Sequence, residues 1–234
     1  MIGDVADARW GKFPIAKPIG HCEDEVVHSA QATLIRLIRL GDTSWIVHWS
    51  TDAHGLVRTA AKGARRPSSP FAGRLDLFHA AEIEFQRARR GDLHALREVA
   101  VIDRRDGLRA SYPGLLLAGY CCRLFESAVE PEHADPALHD LLCRALDHLA
   151  AAGPSLRAMR HFERELTRLL GVAQEQVPPE VSLRRHLGHL PESRDELTAL
   201  LTGHADLDSS TGPSSAILSS EPTNDSPWTP RPPP

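Results

Sequence analysis

The sequence predicts a two-domain α+β protein, in which a small β-barrel is followed by an all-α domain. After Asp103 the spacing of apolar residues changes from the alternation of short strands to the period of amphipathic helices. The chain has 234 residues, of which 41% are hydrophobic and 25% charged, enough for two modest domains that each bury a core. We expect a disordered N-terminal extension (1–30), a barrel (31–103), a helical domain (104–206) and a disordered Ser/Pro-rich tail (207–234).

Five short β runs at close spacing make up the predicted barrel. The predicted strands are residues 32–40, 44–50, 55–62, 75–86 and 93–102. Short connections such as Gly41-Asp42-Thr43 and Arg90-Gly91-Asp92 favour hairpins between them. Five antiparallel strands in about 70 residues fit a small closed barrel, and the OB-fold is the five-stranded barrel that binds single-stranded nucleic acid.

Capping residues mark the helices of the second domain. Asp135-Pro136 is typical of an N-cap followed by Pro at the first helical position. Another helix is expected to begin near Ser155 and to be closed by Gly171. The sequence Ser193-Arg194-Asp195-Glu196 is a capping-box pattern, and it predicts a last helix that ends at Gly203.

Charge is unevenly distributed between the two predicted domains. The whole chain has a formal net charge of -4. Residues 31–102 contain 11 Lys and Arg against 7 Asp and Glu, a net of +4, whereas residues 103–206 contain 12 against 16, a net of -4. This asymmetry favours a nucleic-acid surface on the barrel and a different partner on the helical domain.

Two groups of cations are candidate binding sites. Lys62, Arg65 and Arg66 lie on a turn rich in Gly and Pro with no acidic residue among them, which favours an anionic partner such as nucleic-acid phosphate. An Arg-Arg pair on a loop is also a common solvated surface feature, so this alternative stays open. A second group forms a stripe on one helix, where a solvated stripe interleaved with Glu163 and Glu165 is favoured over DNA contact: Arg157, Arg160, Arg164 and Arg168.

No pattern typical of an enzyme occurs in the sequence. The phosphate cradle Gly-x-x-x-x-Gly-Lys, the dinucleotide turn Gly-x-Gly-x-x-Gly and the nucleophile elbow Gly-x-Ser-x-Gly are all missing. The thirteen histidines lack the spacing of a catalytic zinc helix, so we expect no catalytic residues, no metal and no cofactor. No apolar run reaches the roughly 18 residues of a membrane span, and the expectation is a cytoplasmic protein with reduced cysteines.

Several segments resemble the RecO family of bacterial recombination mediators, in the order in which that family has them. They cover about residues 31–201, and the Lys-Gly-x-Arg-Arg segment is the most specific. In the barrel they are Arg39-Leu40-Gly41-Asp42-Thr43-Ser44, Ser50-Thr51-Asp52-Ala53-His54-Gly55-Leu56, Ala61-Lys62-Gly63-Ala64-Arg65-Arg66 and Leu93-His94-Ala95-Leu96-Arg97-Glu98. In the helical domain they are Phe162-Glu163-Arg164-Glu165-Leu166, Leu169-Leu170-Gly171, Leu183-Arg184, Leu187-Gly188-His189-Leu190 and Ser193-Arg194.

The resemblance implies a non-enzymatic protein of the RecF-type recombination pathway. Such a protein binds single- and double-stranded DNA, anneals strands coated with single-strand-binding protein (SSB), and acts with RecR to load RecA. The residues expected to hold a strand by its phosphates are Lys62, Arg65 and Arg66, helped by Arg36, Arg39 and Arg74. Family members also capture the acidic C-terminal tail of SSB on the helical domain, for which the stripe of four arginines is the candidate.

The chain departs from the family pattern in one interval that bears on metal binding. Many RecO-like chains have a four-cysteine zinc module before their final helices, whereas residues 172–181 contain no cysteine. We therefore expect no structural zinc. An alternative function also stays open, that of a protein-interaction adaptor that links SSB to RecR without annealing activity of its own.

Overall fold

The computed structural model describes residues 26–208, and the first half of this range is a closed five-stranded β-barrel. The strands are β1 (Val27–Leu40), β2 (Ser44–Thr51), β3 (Gly55–Ala61), β4 (Ala80–Gln86) and β5 (Leu93–Asp103). They close in the order β1-β2-β3-β5-β4, and β3 and β5 run parallel. The predicted barrel is confirmed, but the expectation of purely antiparallel strands is wrong. A ring of five strands cannot alternate in direction all the way round, so at least one neighbouring pair must be parallel.

β1 is the longest strand, and it closes the barrel by pairing with both β2 and β4. Of its 14 residues, the first half pairs with β4 and the second half with β2, and a bulge between Leu34 and Arg36 lies near the changeover. It begins at Val27, so the last residues of the predicted extension form part of the barrel. The barrel interior is filled by fully buried apolar side chains, among them Leu34, Val47, Trp49, Ile83, Phe85 and Val99.

A loop of residues 62–79, which we call the capping loop, connects β3 to β4. Its Phe71 packs into the barrel core and its Phe78 into the core of the helical domain. A strand was predicted from residue 75, but β4 begins only at Ala80. Phe78 is buried but has a φ of 71°, outside the strand region of the backbone, so it fills the helical-domain core without forming part of a strand.

Five α-helices form the second domain in the described part of the chain. They are α1 (Tyr112–Ala128), α2 (Pro136–Ala152), α3 (Leu156–Leu169), α4 (Pro179–Leu187) and α5 (Ser193–Asp208), preceded by a 3-10 helix (Asp106–Ala110). Asp135 caps α2 as predicted, because its carboxylate accepts hydrogen bonds from the N–H groups of Ala137 and Leu138. Gly171 follows α3 with a φ of 68°, in the left-handed region that glycine tolerates.

The sequence interpretation misses one helix and misplaces the end of another. α4 has no side-chain N-cap and begins at the second of two consecutive prolines, so neither a capping side chain nor a long amphipathic period marks it. α5 continues to Asp208 through Gly203, where the sequence predicts its end. An interior glycine costs a helix only about 1 kcal/mol relative to Ala, and this cost does not stop α5.

The two domains share a continuous interface. Thr33 and Ile35 of β1 and Leu56 of β3 lie on the outer face of the barrel, and the two apolar residues belong to the core of the helical domain. Arg105, only 3% exposed, crosses this interface. Its Nε donates to Asp147 Oδ1 (2.6 Å), and its Nη1 donates to the Phe78 carbonyl (2.7 Å) and to Thr33 Oγ1 (3.3 Å). Charge and apolar burial therefore fix the barrel against α1 and α2.

Gly55 marks the tightest contact between the domains. Its φ is 66°, and a Cβ atom at this position would lie 2.1 Å from the carbonyl oxygen of His133 in the α1–α2 connection. The next residue, Leu56, accepts a hydrogen bond from the N–H of Glu132 (3.1 Å). Backbone therefore meets backbone here, and only a residue without a side chain fits.

Three of the four cysteines and most of the histidines lie in the described part of the chain. Cys121, Cys122 and Cys143 are buried and form no disulfide among the described residues, and burial raises the pKa of the Cys122 thiol well above its ordinary value. Within residues 26–208, no group of three or more His, Cys, Asp or Glu side chains is arranged to hold a metal ion. None of the described helices is long and apolar enough to cross a membrane. Cys22, most of the predicted extension and nearly all of the Pro-rich tail lie outside the described residues.

Candidate nucleic-acid interface

The turn after β3 carries Lys62, Arg65 and Arg66 at one end of the barrel. Gly63 has a φ of 67° and lets the chain turn sharply, and its N–H donates to Ser44 Oγ (3.1 Å). The N–H of Arg65 donates to the Thr43 carbonyl (2.9 Å). These bonds fix the turn against the β1–β2 hairpin, so the three cations are held at defined positions.

Trp45, at the start of β2, lies beneath this turn. The guanidinium carbon of Arg65 is 5.4 Å from the centroid of the indole ring, and Arg65 Nη1 donates to the Asp42 carbonyl (2.8 Å). Trp45 is partly buried against the barrel core and leaves part of its ring accessible. Sequence reasoning missed Trp45, although an aromatic residue directly after a hairpin turn in a predicted nucleic-acid-binding barrel was a usable signal.

The strand register places Arg39 beside the same tryptophan. Arg39 of β1 and Trp45 of β2 are directly opposite, and opposed residues of antiparallel strands project from the same face. Lys62, Arg65 and Arg66 are exposed, and among the side chains of residues 26–202 no carboxylate forms an ion pair with any of the four cations. We call the group of Arg39, Trp45, Lys62, Arg65 and Arg66 the barrel rim.

The structure places the other two predicted DNA-binding residues away from the barrel rim. Arg36 donates to Glu126 Oε2 of α1 at 3.4 Å, and this carboxylate also contacts His48 Nδ1 through its Oε1 (2.6 Å). Arg74 donates from Nη1 to the Val99 carbonyl (3.0 Å) and so fastens the capping loop to β5. Each of these two guanidiniums has a structural partner, whereas the Lys62 ammonium and the Arg66 guanidinium have no carboxylate partner among the described residues.

A second basic loop, between β4 and β5, was not singled out from the sequence. Arg87, Arg89 and Arg90 are all exposed there, three cations within four residues. The acidic residue of this loop, Asp92, forms an ion pair with Arg58. Arg87 lies 3.8 Å from Glu132, whereas Arg89 and Arg90 have no ion-pair partner in the described range. The density of arginines exceeds that of the capping loop and was the signal that could have found it.

The helical domain covers part of the barrel face that binds ligands in OB-folds, the outer face of strands 2 and 3. His48 is bonded to Glu126 of α1, and Ser50 Oγ lies 2.8 Å from His139 Nδ1 of α2. Towards the other end of the same face, Ile38 is exposed and Ile46 is partly exposed. The open part of the face therefore adjoins the barrel rim.

The arginine stripe of α3 differs from its sequence interpretation in one respect. Arg157, Arg160, Arg164 and Arg168 are exposed, and Arg168 pairs with Glu165 (3.0 Å). Glu163, however, does not interleave with them. It is fully buried and bonded to Tyr120 Oη and to the guanidinium of Arg194. Of the two glutamates that the sequence places among the arginines, only Glu165 therefore offsets the positive charge of the stripe.

Two family descriptions match the chain. "Recombination protein O N terminal" matches residues 26–105, which contain the barrel, and "Recombination protein O C terminal" matches residues 109–175, which contain α1 to α3. Together they cover more than half of the 234 residues. The junction between them falls in the 3-10 helix that separates β5 from α1.

Curated proteins give the same result. The chain is 31% identical over 145 residues to "DNA repair protein RecO" of Syntrophotalea carbinolica, an alignment that covers 62% of this chain and 56% of the relative. It is 30% identical over 141 residues to the protein of that name from Pelobacter propionicus, with 60% and 57% covered. It is also 30% identical over 144 residues to that of Salinibacter ruber, with 61% and 55% covered.

These alignments cover about half the length of the curated relatives that they match. The two family matches nevertheless follow one another in the order of the barrel and the helices, and they extend from the barrel through α1 to α3. The resemblance that the sequence motifs predict is confirmed. The chain belongs to the recombination protein O family, RecO.

Proposed function

We propose that this protein binds single- and double-stranded DNA at the barrel rim and anneals complementary strands, as a mediator of the RecF-type recombination pathway. The observation that carries the proposal is the rim itself, where Trp45 lies next to Arg39 and Arg65, and Lys62 and Arg66 have no carboxylate partner in the described range. Membership in a family whose curated members are described as DNA repair proteins supports it.

The chemistry of such a rim suits a single strand. An aromatic ring gives a base a surface on which to stack, worth about 1 to 3 kcal/mol and independent of sequence. Lys62 and Arg66 neutralise phosphates and release condensed counterions. A strand held in this way repels its complement less, and base pairing completes the annealing. No covalent bond is made or broken, so this mechanism requires neither a catalytic residue nor a cofactor.

The β4–β5 loop extends the proposed DNA path. In five-stranded OB barrels, the β1–β2 and β4–β5 loops flank the ligand face. The β1–β2 hairpin supports the barrel rim, and the β4–β5 loop carries Arg89 and Arg90, exposed and without carboxylate partners in the described range. A strand that crosses the barrel meets cations at both loops. Arg36 and Arg74 have smaller roles, because both guanidiniums bind groups of the protein itself.

Protein partners belong to the same proposal. The exposed stripe of Arg157, Arg160, Arg164 and Arg168 complements the acidic C-terminal tail of SSB, and complementary charge of this kind favours specific association. RecR then joins the protein to load RecA onto SSB-coated DNA. These steps take place in the bacterial cytoplasm, on the chromosome.

The direct test measures annealing of complementary oligonucleotides across a salt series. The intact chain is compared with a variant in which Lys62, Arg65 and Arg66 are all replaced by Ala. Three lost phosphate contacts should lower the slope of log affinity against log salt by about 2 units for single-stranded DNA. The annealing rate at low salt should fall in parallel.

A control variant separates a local effect from a loss of total charge. Replacing Arg160, Arg184 and Arg185 by Ala removes three exposed cations from the helical domain and should leave the slope unchanged. If both variants behave alike, the proposed DNA site is misplaced. If the intact chain binds DNA but anneals no faster than free strands do, the adaptor function replaces the annealing function.

A further inference from the structure

A cleft of about 400 Å³ opens between the second half of α3 and the segment of residues 173–182. This volume lies in the range of about 300 to 1,000 Å³ that is typical of ligand sites. Thr167, Val177 and Pro179 supply apolar groups, and the exposed guanidiniums of Arg164 and Arg168 lie on α3 at its edge. The cleft is thus apolar with cations at its edge, although Glu175 also lines it and partly offsets their charge.

One buried polar atom in the cleft has no partner. Ser182 of α4 is 4% exposed, and its Oγ makes no hydrogen bond to any described residue. A buried hydroxyl without a partner costs free energy, which a ligand with a matching donor or acceptor would recover. The cleft therefore suits an occupant that combines an apolar group and a hydrogen-bonding group with a negative charge placed near Arg164 and Arg168.

A segment of this same chain has those properties. Residues 217–228, beyond the described range, contain Glu221 and Asp225, no Lys or Arg, and the single aromatic residue Trp228. An indole ring offers a large apolar surface and one N–H donor. We propose that Trp228 enters this cleft and that Asp225 and Glu221 face Arg164 and Arg168, so that the protein's own tail occupies a peptide-binding site on the helical domain.

The tail is long enough for this contact. α5 begins against the cleft region, because Arg194 binds Glu163 of α3 and lies 3.8 Å from Glu180 of α4. Its 16 residues are about 24 Å long at 1.5 Å per residue. About 20 residues separate Asp208 from Trp228, and a flexible chain of that length has a root-mean-square span of about 25 Å. The tail can therefore return along α5 to the cleft.

A weak contact is sufficient within one chain. A short flexible tether gives its end an effective concentration in the millimolar range. At that concentration, a site with a Kd of about 0.1 mM for the segment would be occupied about nine-tenths of the time. The proposal uses none of the DNA-binding argument, so the two stand or fall separately.

Photo-crosslinking of the full-length chain tests the contact without DNA. Trp228 is replaced by p-benzoylphenylalanine, the protein is irradiated at about 1 μM, and crosslinked peptides are identified by mass spectrometry. We expect the main intramolecular product to join position 228 to residues 164–182. In the same background, a variant with R164E and R168E should lose about 5- to 10-fold of this product, because two attractive contacts become repulsive.

The matched control is R184E, a charge reversal on an exposed residue of the helical domain that neither lines the cleft nor belongs to the arginine stripe. Its crosslink yield should equal that of the parent, and circular dichroism of all variants checks that the helices are intact. Crosslinks spread over other surfaces, or no crosslink at all, would overturn the proposal. A yield that rises with protein concentration would also overturn it, because the tail would then bind a second copy.

Discussion

The barrel rim and the centre of the helical domain contain the same kinds of charged residue in opposite surroundings. At the rim, Lys62 and Arg66 are exposed and have no ion-pair partner in the described range. In the helical domain, Glu163 is fully buried, accepts two hydrogen bonds from Arg194 (2.7 and 3.1 Å) and one from Tyr120 (2.5 Å). The difference teaches that the position of a charge relative to its neighbours decides whether it serves binding or stability.

The protonation states of Tyr120 and Arg194 follow from their surroundings. Burial raises the pKa of Tyr120, and the carboxylate of Glu163 raises it further, so its hydroxyl stays a donor. The hydrogen bonds from Arg194 to Glu163 raise the pKa of the guanidinium, although burial acts in the opposite direction. We call Tyr120, Glu163 and Arg194 the buried network.

The largest loss in the free energy of unfolding is expected from Glu163→Ala. This change leaves the Arg194 charge and the Tyr120 hydroxyl without their partner, and removing one member of a buried ion pair costs about 3 to 5 kcal/mol. Urea unfolding gives the free energy of unfolding. Glu165→Ala is the matched control on the same helix, because its partner Arg168 is 63% exposed and such a pair is worth about 0.5 kcal/mol. Similar losses in the two variants would contradict the comparison.

The next largest loss of stability is expected at the contact between the barrel and the helical domain. Gly55→Ala should cost about 2 to 4 kcal/mol, because the new Cβ would meet the His133 carbonyl in a backbone conformation that side chains disfavour. Gly63→Ala at the barrel rim has nearly the same φ, but its nearest neighbour would be 3.7 Å away, so the expected cost is about 1 to 2 kcal/mol. Thermal unfolding of both variants measures the difference. Equal costs would show that the His133 contact relaxes freely.

The rim should show its importance in binding more than in folding. Trp45→Ala should weaken binding of a dT oligonucleotide by about 1 to 3 kcal/mol, or about 5- to 150-fold, because a stacking surface is lost. Fluorescence anisotropy measures the Kd. Trp45→Phe should retain most of the affinity. Tyr112→Ala removes an exposed aromatic residue from the helical domain and should change nothing. A uniform loss in all three variants would argue against stacking at the rim.

The smallest effect is a pH dependence at the domain interface. Burial alone would raise the pKa of Glu126, but its contacts with His48 and Arg36 outweigh burial and hold this pKa below the ordinary value. A lowered carboxyl pKa contributes stability above pH of about 4.3, and the contribution is lost as the pH falls through the folded-state pKa. Relative to Glu126→Gln, the parent should be about 1 to 2 kcal/mol more stable at pH 6. This advantage should shrink towards zero below about pH 4, measured by urea unfolding at each pH.

The regular parts of the fold could be predicted because their signals are local. Alternation of apolar and polar residues marks β4, and an Asp-Pro cap marks α2. The capping loop was misjudged because Phe71 and Phe78 are apolar for a tertiary reason, the closing of two cores. The parallel pairing of β3 with β5 follows from the odd number of strands in a closed ring, which no single segment reveals.

The candidate site could be predicted only in part. Lys62, Arg65 and Arg66 are adjacent in sequence, and the structure keeps them together at the barrel rim. The separation of Arg36 from Arg39 could not be predicted, because it depends on the β1 bulge and on the position of Glu126 in a different domain. Whether the rim binds DNA stays a prediction that the annealing experiment tests.

The shared interface has a consequence for the protein while it is being made. All five strands have left the ribosome once Asp103 has emerged, but their outer face still awaits α1 and α2. Asp147, the partner of Arg105, lies about 44 residues after Asp103. At about 5 to 20 residues per second, the nascent barrel presents Ile35 and Leu56 uncovered for about 2 to 9 s. A slowly translated message would lengthen that interval and increase the demand for chaperones during synthesis.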